Sequence, residues 1–308
     1  MTDARRGLLY GVIVYGLWGV VPLFWKLLAD VPPAEIVAHR AVWGVVVLLG
    51  ICAVAGALPA VRAGLRSPRV VRAMLTSATL IAFNWGVFIY AVATHHVLDV
   101  SLGYFINPLL SVAFGVIVLG ERLRRAQLAA LGLATVGVVV MAVQVGHVPW
   151  IALLLASSFA AYGFVRKRAP IDSLPGGTIE TALLAGAGAI YLGWLAAHGD
   201  GVVGHAPLRT HALLALAGVV TAGPLLLFTA AARRLPLSTL GFLQYLAPSL
   251  QFVVAVTAFG EQLSTARLAA FGCIWLALAV FSVDLWRGSS LAIKTASTSR
   301  AGSSPARR

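Results

Sequence analysis

Charge is scarce in this sequence. Charged residues make up 11% of its 308 positions, and ten of them are acidic. A soluble domain carries roughly 25%. Length alone would allow two soluble domains, but so little charge leaves too little polar surface to cover them. Cysteine is scarce too. Cys52 and Cys273 are the two present, and each lies inside an apolar run. That excludes a disulfide framework, a CxxC pair and a zinc spacing. No GxxxxGK[ST] is present to bind ATP, and neither HExxH nor GxSxG is present to support hydrolysis. No cofactor, metal or catalytic residue is expected.

Apolar residues are abundant: 60% of positions are hydrophobic, with a mean hydropathy of +0.92. A membrane span needs about 20 apolar residues to cross ~30 Å of hydrocarbon. Ten runs qualify or nearly qualify, at 7–28, 35–57, 71–93, 100–119, 126–145, 149–166, 178–197, 211–232, 238–259 and 266–286. The expected fold is an all-α membrane protein with ten transmembrane helices. The first run follows Arg5-Arg6 as the core of a secretory signal would. It is too long for one, and no small-residue cleavage site follows it directly. Residues 287–308 are Ser, Thr, Ala and Arg without periodicity and are expected to form a disordered cytoplasmic tail.

The net charge of +13 could point to nucleic acid. Its placement argues otherwise. With the N-terminus cytoplasmic, 19 of the 23 Lys and Arg residues fall on inner segments, leaving Lys26, Arg40, Arg209 and Arg267 on or near the outer side. This is the positive-inside pattern, and no nucleic-acid partner is expected.

The chain also repeats itself. Pro108–Gly132 and Pro248–Gly272 align without a gap and are identical at eleven of 25 positions, including Pro108/Pro248, Gly120/Gly260, Glu121/Glu261 and Leu123/Leu263. Five spans per copy is an odd number, so the second copy enters the membrane inverted. The loop charges agree: Glu-Arg-Leu-Arg-Arg in the first copy, Glu-Gln-Leu-Ser-Thr in the second. Two inverted five-helix repeats, 7–145 and 149–286, are the architecture of many secondary transporters, whose site lies near the midplane between repeats.

Polar groups within the spans mark candidate substrate-binding residues. Pro108 and Pro248 each delete a helical hydrogen bond and free the carbonyls of Tyr104 and Gln244. Tyr104 and Asn107 neighbour the first kink; Gln244, Tyr245 and Gln251 neighbour the second. These groups either line a central cavity or belong to packing kinks satisfied by adjacent helices. Asn84-Trp85 lies mid-span, where the amide either joins helices or meets a cavity. Glu35 and His39 are four apart and share one helix face, with Arg40 about 100° round from His39. They either face a cavity or anchor the helix at the outer interface, since 41–58 alone is long enough to cross. Glu35, His39 and Glu180 are candidates for proton coupling. For Glu35 and Glu180, stabilisation by the helix dipole in a first turn is the competing explanation. Most tryptophans fall near span ends, as an aromatic belt would; Trp18 and Trp85 lie deeper and can contact an apolar substrate.

Glu35-Ile-Val-Ala-His39-Arg40-Ala-Val-Trp43, Phe83-Asn84-Trp85, Ser101-Leu-Gly-Tyr-Phe-Ile-Asn107-Pro108-Leu and Gln244-Tyr-Leu-Ala-Pro248-Ser resemble the RarD-type permeases. These are the "chloramphenicol-sensitive protein" branch of the EamA-domain proteins, within the drug/metabolite transporter superfamily. The resemblance spans about residues 7–286. It implies ten transmembrane helices, two EamA-like repeats and alternating access. The second copy has Ala247 where the first has Asn107, so a symmetric polar role there is not implied. The expected function is secondary transport of a small organic metabolite or drug across the bacterial inner membrane, with a non-transporting scaffold or receptor as the alternative. The expected partners are the bilayer and a small molecule, and a homo-oligomer stays open.

Overall fold

A computed structural model gives the fold and describes residues 2–258, 265 and 268–284. Gly260 and Glu261, in the middle of the second repeat copy, and the segment 287–308 lie outside the described residues. The described chain is helical, as hydrocarbon demands of a backbone that must pair its own N–H and C=O groups.

The helices are α1 (Asp3–Trp25), α2 (Pro33–Val54), α3 (Leu58–Arg66), α4 (Pro68–Ala93), α5 (Val97–Ala113), α6 (Arg125–Val145), α7 (Trp150–Arg168), α8 (Ser173–Ala197), α9 (Leu208–Arg234), α10 (Leu237–Gln244) and α11 (Leu246–Ala258), followed by α12 (Leu268–Asp284). Local chemistry sets their ends. Thr2 accepts the Arg5 N–H at 3.4 Å to cap α1. Pro33 and Pro68 open α2 and α4, where the missing proline N–H has no helical acceptor to lose.

Eight helices among the described residues are long and apolar enough to cross a membrane: α1 with its last turn to Leu28, α2, α4, α5 with the π turn Phe114–Val118, α6, α8, α9, and α10 joined to α11. In the sixth and tenth apolar runs, α7 has 19 residues and ends in Arg166-Lys167-Arg168, and α12 has 17.

Two elements differ from expectation. The short α3 occupies what reads as a loop; it buries Val61 and Gly64 and turns its arginines outward. α8 begins at Ser173, five residues before the expected start at 178, and runs through Pro175-Gly176-Gly177. Proline is harmless in a first turn. A Cβ on Gly176 would lie 2.8 Å from Ile171 and 3.1 Å from Arg166 Nη1, so the glycine makes room for a neighbouring guanidinium.

The two halves of the sequence interleave. α2 packs on α8 and α9, α5 on α7 and α10, α1 on α9 and α11, and α4 on α7 and α8. At the flank, Ala130, Ala134 and Val138 of α6 share a core with Ile274, Ala277 and Phe281 of α12. Close crossings need glycine. A Cβ on Gly241 would lie 2.8 Å from the Pro108 carbonyl oxygen, which brings α10 onto the backbone of α5. On Gly218 it would lie 2.5 Å from Trp43 Cβ and 2.7 Å from the Gly44 nitrogen. Backbone cannot yield as a side chain tip does, so Gly218→Ala is expected to cost about 1–3 kcal/mol or more by overpacking. Thermal unfolding in detergent, compared with alanine at the unhindered Gly223, checks this.

Candidate functional site

Between the interleaved halves lies a cavity of about 430 Å³, within the size range of small-molecule sites. Its walls come from α1, α2, α4, α5, α7, α9, α10 and α11. Trp18, Trp25, Phe88 and Phe159 supply aromatic surface. Arg40, Asn84, Trp85, Tyr104, Asn107 and Gln244, all candidates from sequence, line it together, as do Pro248 and Gln251.

Each polar group has a definite setting. The Asn84 amide donates to the Leu155 carbonyl at 2.9 Å and to Ser158 Oγ at 3.0 Å, so it joins α4 to α7 while bordering the cavity. Gln244 Oε1 accepts from Ser111 Oγ at 3.3 Å, and the Gln251 amide donates to the Trp18 carbonyl at 3.0 Å. The Arg40 guanidinium lies over the Trp85 ring, 3.8 Å from its centroid.

Four sequence candidates lie elsewhere. Glu35 and His39 are buried beside the cavity, not in its lining. Glu35 Oε1 accepts the Val202 N–H at 2.8 Å and lies 3.9 Å from His39 Nε2, tying α2 to the α8–α9 loop. Tyr245 is buried in the core shared with α6 and α12, and its hydroxyl donates to the Phe105 carbonyl at 3.3 Å. Glu180 stands in the second turn of α8, because that helix starts early. It lies 3.5 Å from Arg166 Nη1 and accepts hydrogen bonds from Tyr162 Oη at 3.1 Å and from Ser77.

The prolines behave unequally. α5 continues through Pro108, whereas the second copy breaks at Tyr245, and Pro248 falls in the first turn of α11. Tyr15 and Thr221 also line the cavity and were not singled out from sequence. Each places a hydroxyl inside an otherwise apolar run, which was the available signal. Among the described residues no group of three or more His, Cys, Asp or Glu is placed to hold a metal.

The cavity runs from Asn107 and Gln244 to the C-terminal ends of α1 and α4. The opposite end is laced shut. Lys167 Nζ donates to the carbonyls of Ala232, at 3.0 Å, and Leu235. Arg234 pairs with Asp3 at 3.2 Å. Glu121 Oε1 accepts the Leu237 N–H at 2.7 Å, and Oε2 accepts the Ser238 N–H at 2.9 Å.

Comparison with known proteins gives the family. The EamA-like transporter family matches residues 5–143. Protein RarD of Streptomyces exfoliatus is 46% identical over 306 residues, covering 97% of this chain and 93% of its own. Protein RarD of Escherichia coli K12 is 45% identical over 285 residues, covering 92% and 95%. A solved crystal structure only 20% identical in sequence shares the fold, with a TM-score of 0.70 over 92% of this chain and 98% of its own. The chain belongs to the RarD-type permeases of the EamA-like transporter family, as a bacterial multi-pass membrane transporter.

Proposed function

We propose that this protein is a secondary transporter of a small organic molecule in the bacterial inner membrane, working by alternating access. In this reading ten helices form two inverted five-helix repeats, 7–145 and 149–286, with both termini cytoplasmic. The observation that carries it is the cavity: its lining is drawn from both halves, it reaches one end of the molecule, and at the other end Glu121 and Asp3 of the first half bond Leu237 and Arg234 of the second. The laced end holds Arg166, Lys167, Arg168, Arg233 and Arg234, a positive charge that supports reading it as the cytoplasmic side. The conformation is then outward-facing, and transport requires those bonds to exchange for new ones at the other end.

We take the proton as the coupling ion. Glu35 and His39 support that choice: both are buried, and Glu35 Oε2 and His39 Nε2 have no hydrogen-bond partner among the described residues. Glu180 is a weaker choice, since Arg166, Tyr162 and Ser77 already occupy its carboxylate. The test is a screen of small organic acids, amines and neutral metabolites in vesicles reconstituted with the full chain under an imposed proton gradient. Gradient-driven accumulation or efflux of at least one class is expected. Absence of flux across all three overturns the reading.

A further inference from the structure

Resting on that reading of the cavity as a substrate site, we infer that its cargo is an organic monocarboxylate with an apolar, preferably aromatic, body, and that Arg40 binds the carboxylate. Arg40 is the one charged side chain among the described lining residues, and no carboxylate pairs with it among the described residues. Its guanidinium lies 3.8 Å from the Trp85 centroid and 5.9 Å from that of Trp25. Such stacking attracts the cation through the ring quadrupole. Removing a guanidinium from water costs more than such stacking returns. The charge is therefore oriented by the aromatics but not neutralised by them.

The remaining polar atoms narrow the choice. Arg40 Nε, Asn107 Oδ1 and Thr221 Oγ1 are buried without a hydrogen-bond partner among the described residues, and all three residues line this cavity. Buried polar atoms are nearly always paired, so three orphans on residues around one space mark a place where a ligand, with small side-chain shifts, supplies the partners. A carboxylate matches the planar guanidinium fork. One lining cation matches one negative charge; a phosphate dianion would leave a second charge buried and unpaired. An ammonium finds no acidic side chain among the described lining residues. Asn107 Oδ1 accepts, so a hydroxyl on the apolar body strengthens binding. Trp18, Trp25, Phe88 and Phe159 are the surface for that body.

The test measures binding, not flux. Phenylacetate, 4-hydroxyphenylacetate, phenylacetamide and phenethylamine are titrated into the full-length protein in detergent, with quenching of tryptophan fluorescence and calorimetry as readouts. The two carboxylates are expected to bind saturably, and the amide and amine roughly tenfold or more weaker. Arg40→Gln is expected to weaken carboxylate binding on the order of 30-fold and leave the amide nearly unchanged, with Arg40→Lys between them. Equal or tighter binding of the amide or amine, no saturable carboxylate binding, or an unaffected Arg40→Gln variant overturns the inference. If that variant does not fold, the ranking on the natural chain decides alone. Selective carboxylate binding without vesicle flux refutes transport and leaves this site standing. Flux restricted to amines or neutral compounds refutes this site and leaves transport standing.

Discussion

Replacing Glu180 by alanine is expected to cost about 3–5 kcal/mol of folding stability, because it leaves a buried guanidinium without its counter-charge. Glu180 and Arg166 are each 2% exposed. Their surroundings are made for the pair. Tyr162 and Ser77 donate to the carboxylate, and Arg166 Nη2 donates to the Ser173 carbonyl at 3.3 Å. Gly176 leaves the guanidinium its space. Arg166→Met alone strands the carboxylate in the same way. The double variant Arg166→Met/Glu180→Leu removes both charges and is expected to recover much of the loss. Thermal unfolding of the natural chain and the three variants in one detergent ranks them. A Glu180→Ala protein as stable as the natural one, but with flux no longer dependent on the proton gradient, would make Glu180 a coupling residue rather than half of a structural ion pair.

Glu180 also shows where sequence reasoning loses resolution. Apolar runs locate spans well, because about 20 apolar residues have few other uses. Eight of the runs correspond to helices long and apolar enough to cross. Their ends are harder. Pro175-Gly176-Gly177 reads as a breaker, yet proline is tolerated in a first turn, and Gly176 answers to a guanidinium from another helix. Moving the start of α8 by five residues takes Glu180 from a first-turn position to a paired one. The short α3 is hidden for a related reason: its nine residues are too few for a clear period, and part of its apolar surface meets α8.

The candidate site was legible where polarity interrupts a span and illegible where tertiary packing chooses the face. Arg40, Asn84, Tyr104, Asn107 and Gln244 interrupt apolar runs, and the fold gathers them at one cavity. Helical spacing separates Arg40 from His39 by about 100°. It does not say which of the two faces the cavity. Packing of α2 on α8 and α9 settles that by turning Glu35 and His39 toward the second half and leaving Ile36, Val37 and Arg40 to the lining.

The Gly120-Glu121 pair reads from sequence as a helix stop, and its larger role lies 116 residues away. Gly120 has φ +68°, a left-handed turn that glycine adopts without strain. The turn brings the Glu121 N–H to the Gly115 carbonyl at 2.9 Å and aims the side chain at the start of α10. Pro236 at that N-cap has no capping side chain, and the carboxylate supplies what is missing: it accepts the Leu237 and Ser238 N–H groups and the Ser238 hydroxyl, the last at 2.7 Å. Glu121→Ala removes these acceptors and the negative charge at a helix N-terminus, an effect of about 2 kcal/mol. If the laced end must open during transport, the loss falls on the conformation described here. The ratio of the two access states is then expected to shift about 30-fold toward the other. A Leu225→Cys probe in the cavity, with both native cysteines replaced by alanine, reports this through labelling by an impermeant maleimide from each side of oriented vesicles. Labelling from the Glu121 side is expected to rise in Glu121→Ala and to rise less in Glu121→Gln, whose amide oxygen still accepts. Unchanged labelling with lowered thermal stability would instead make Glu121 a cap that both access states keep.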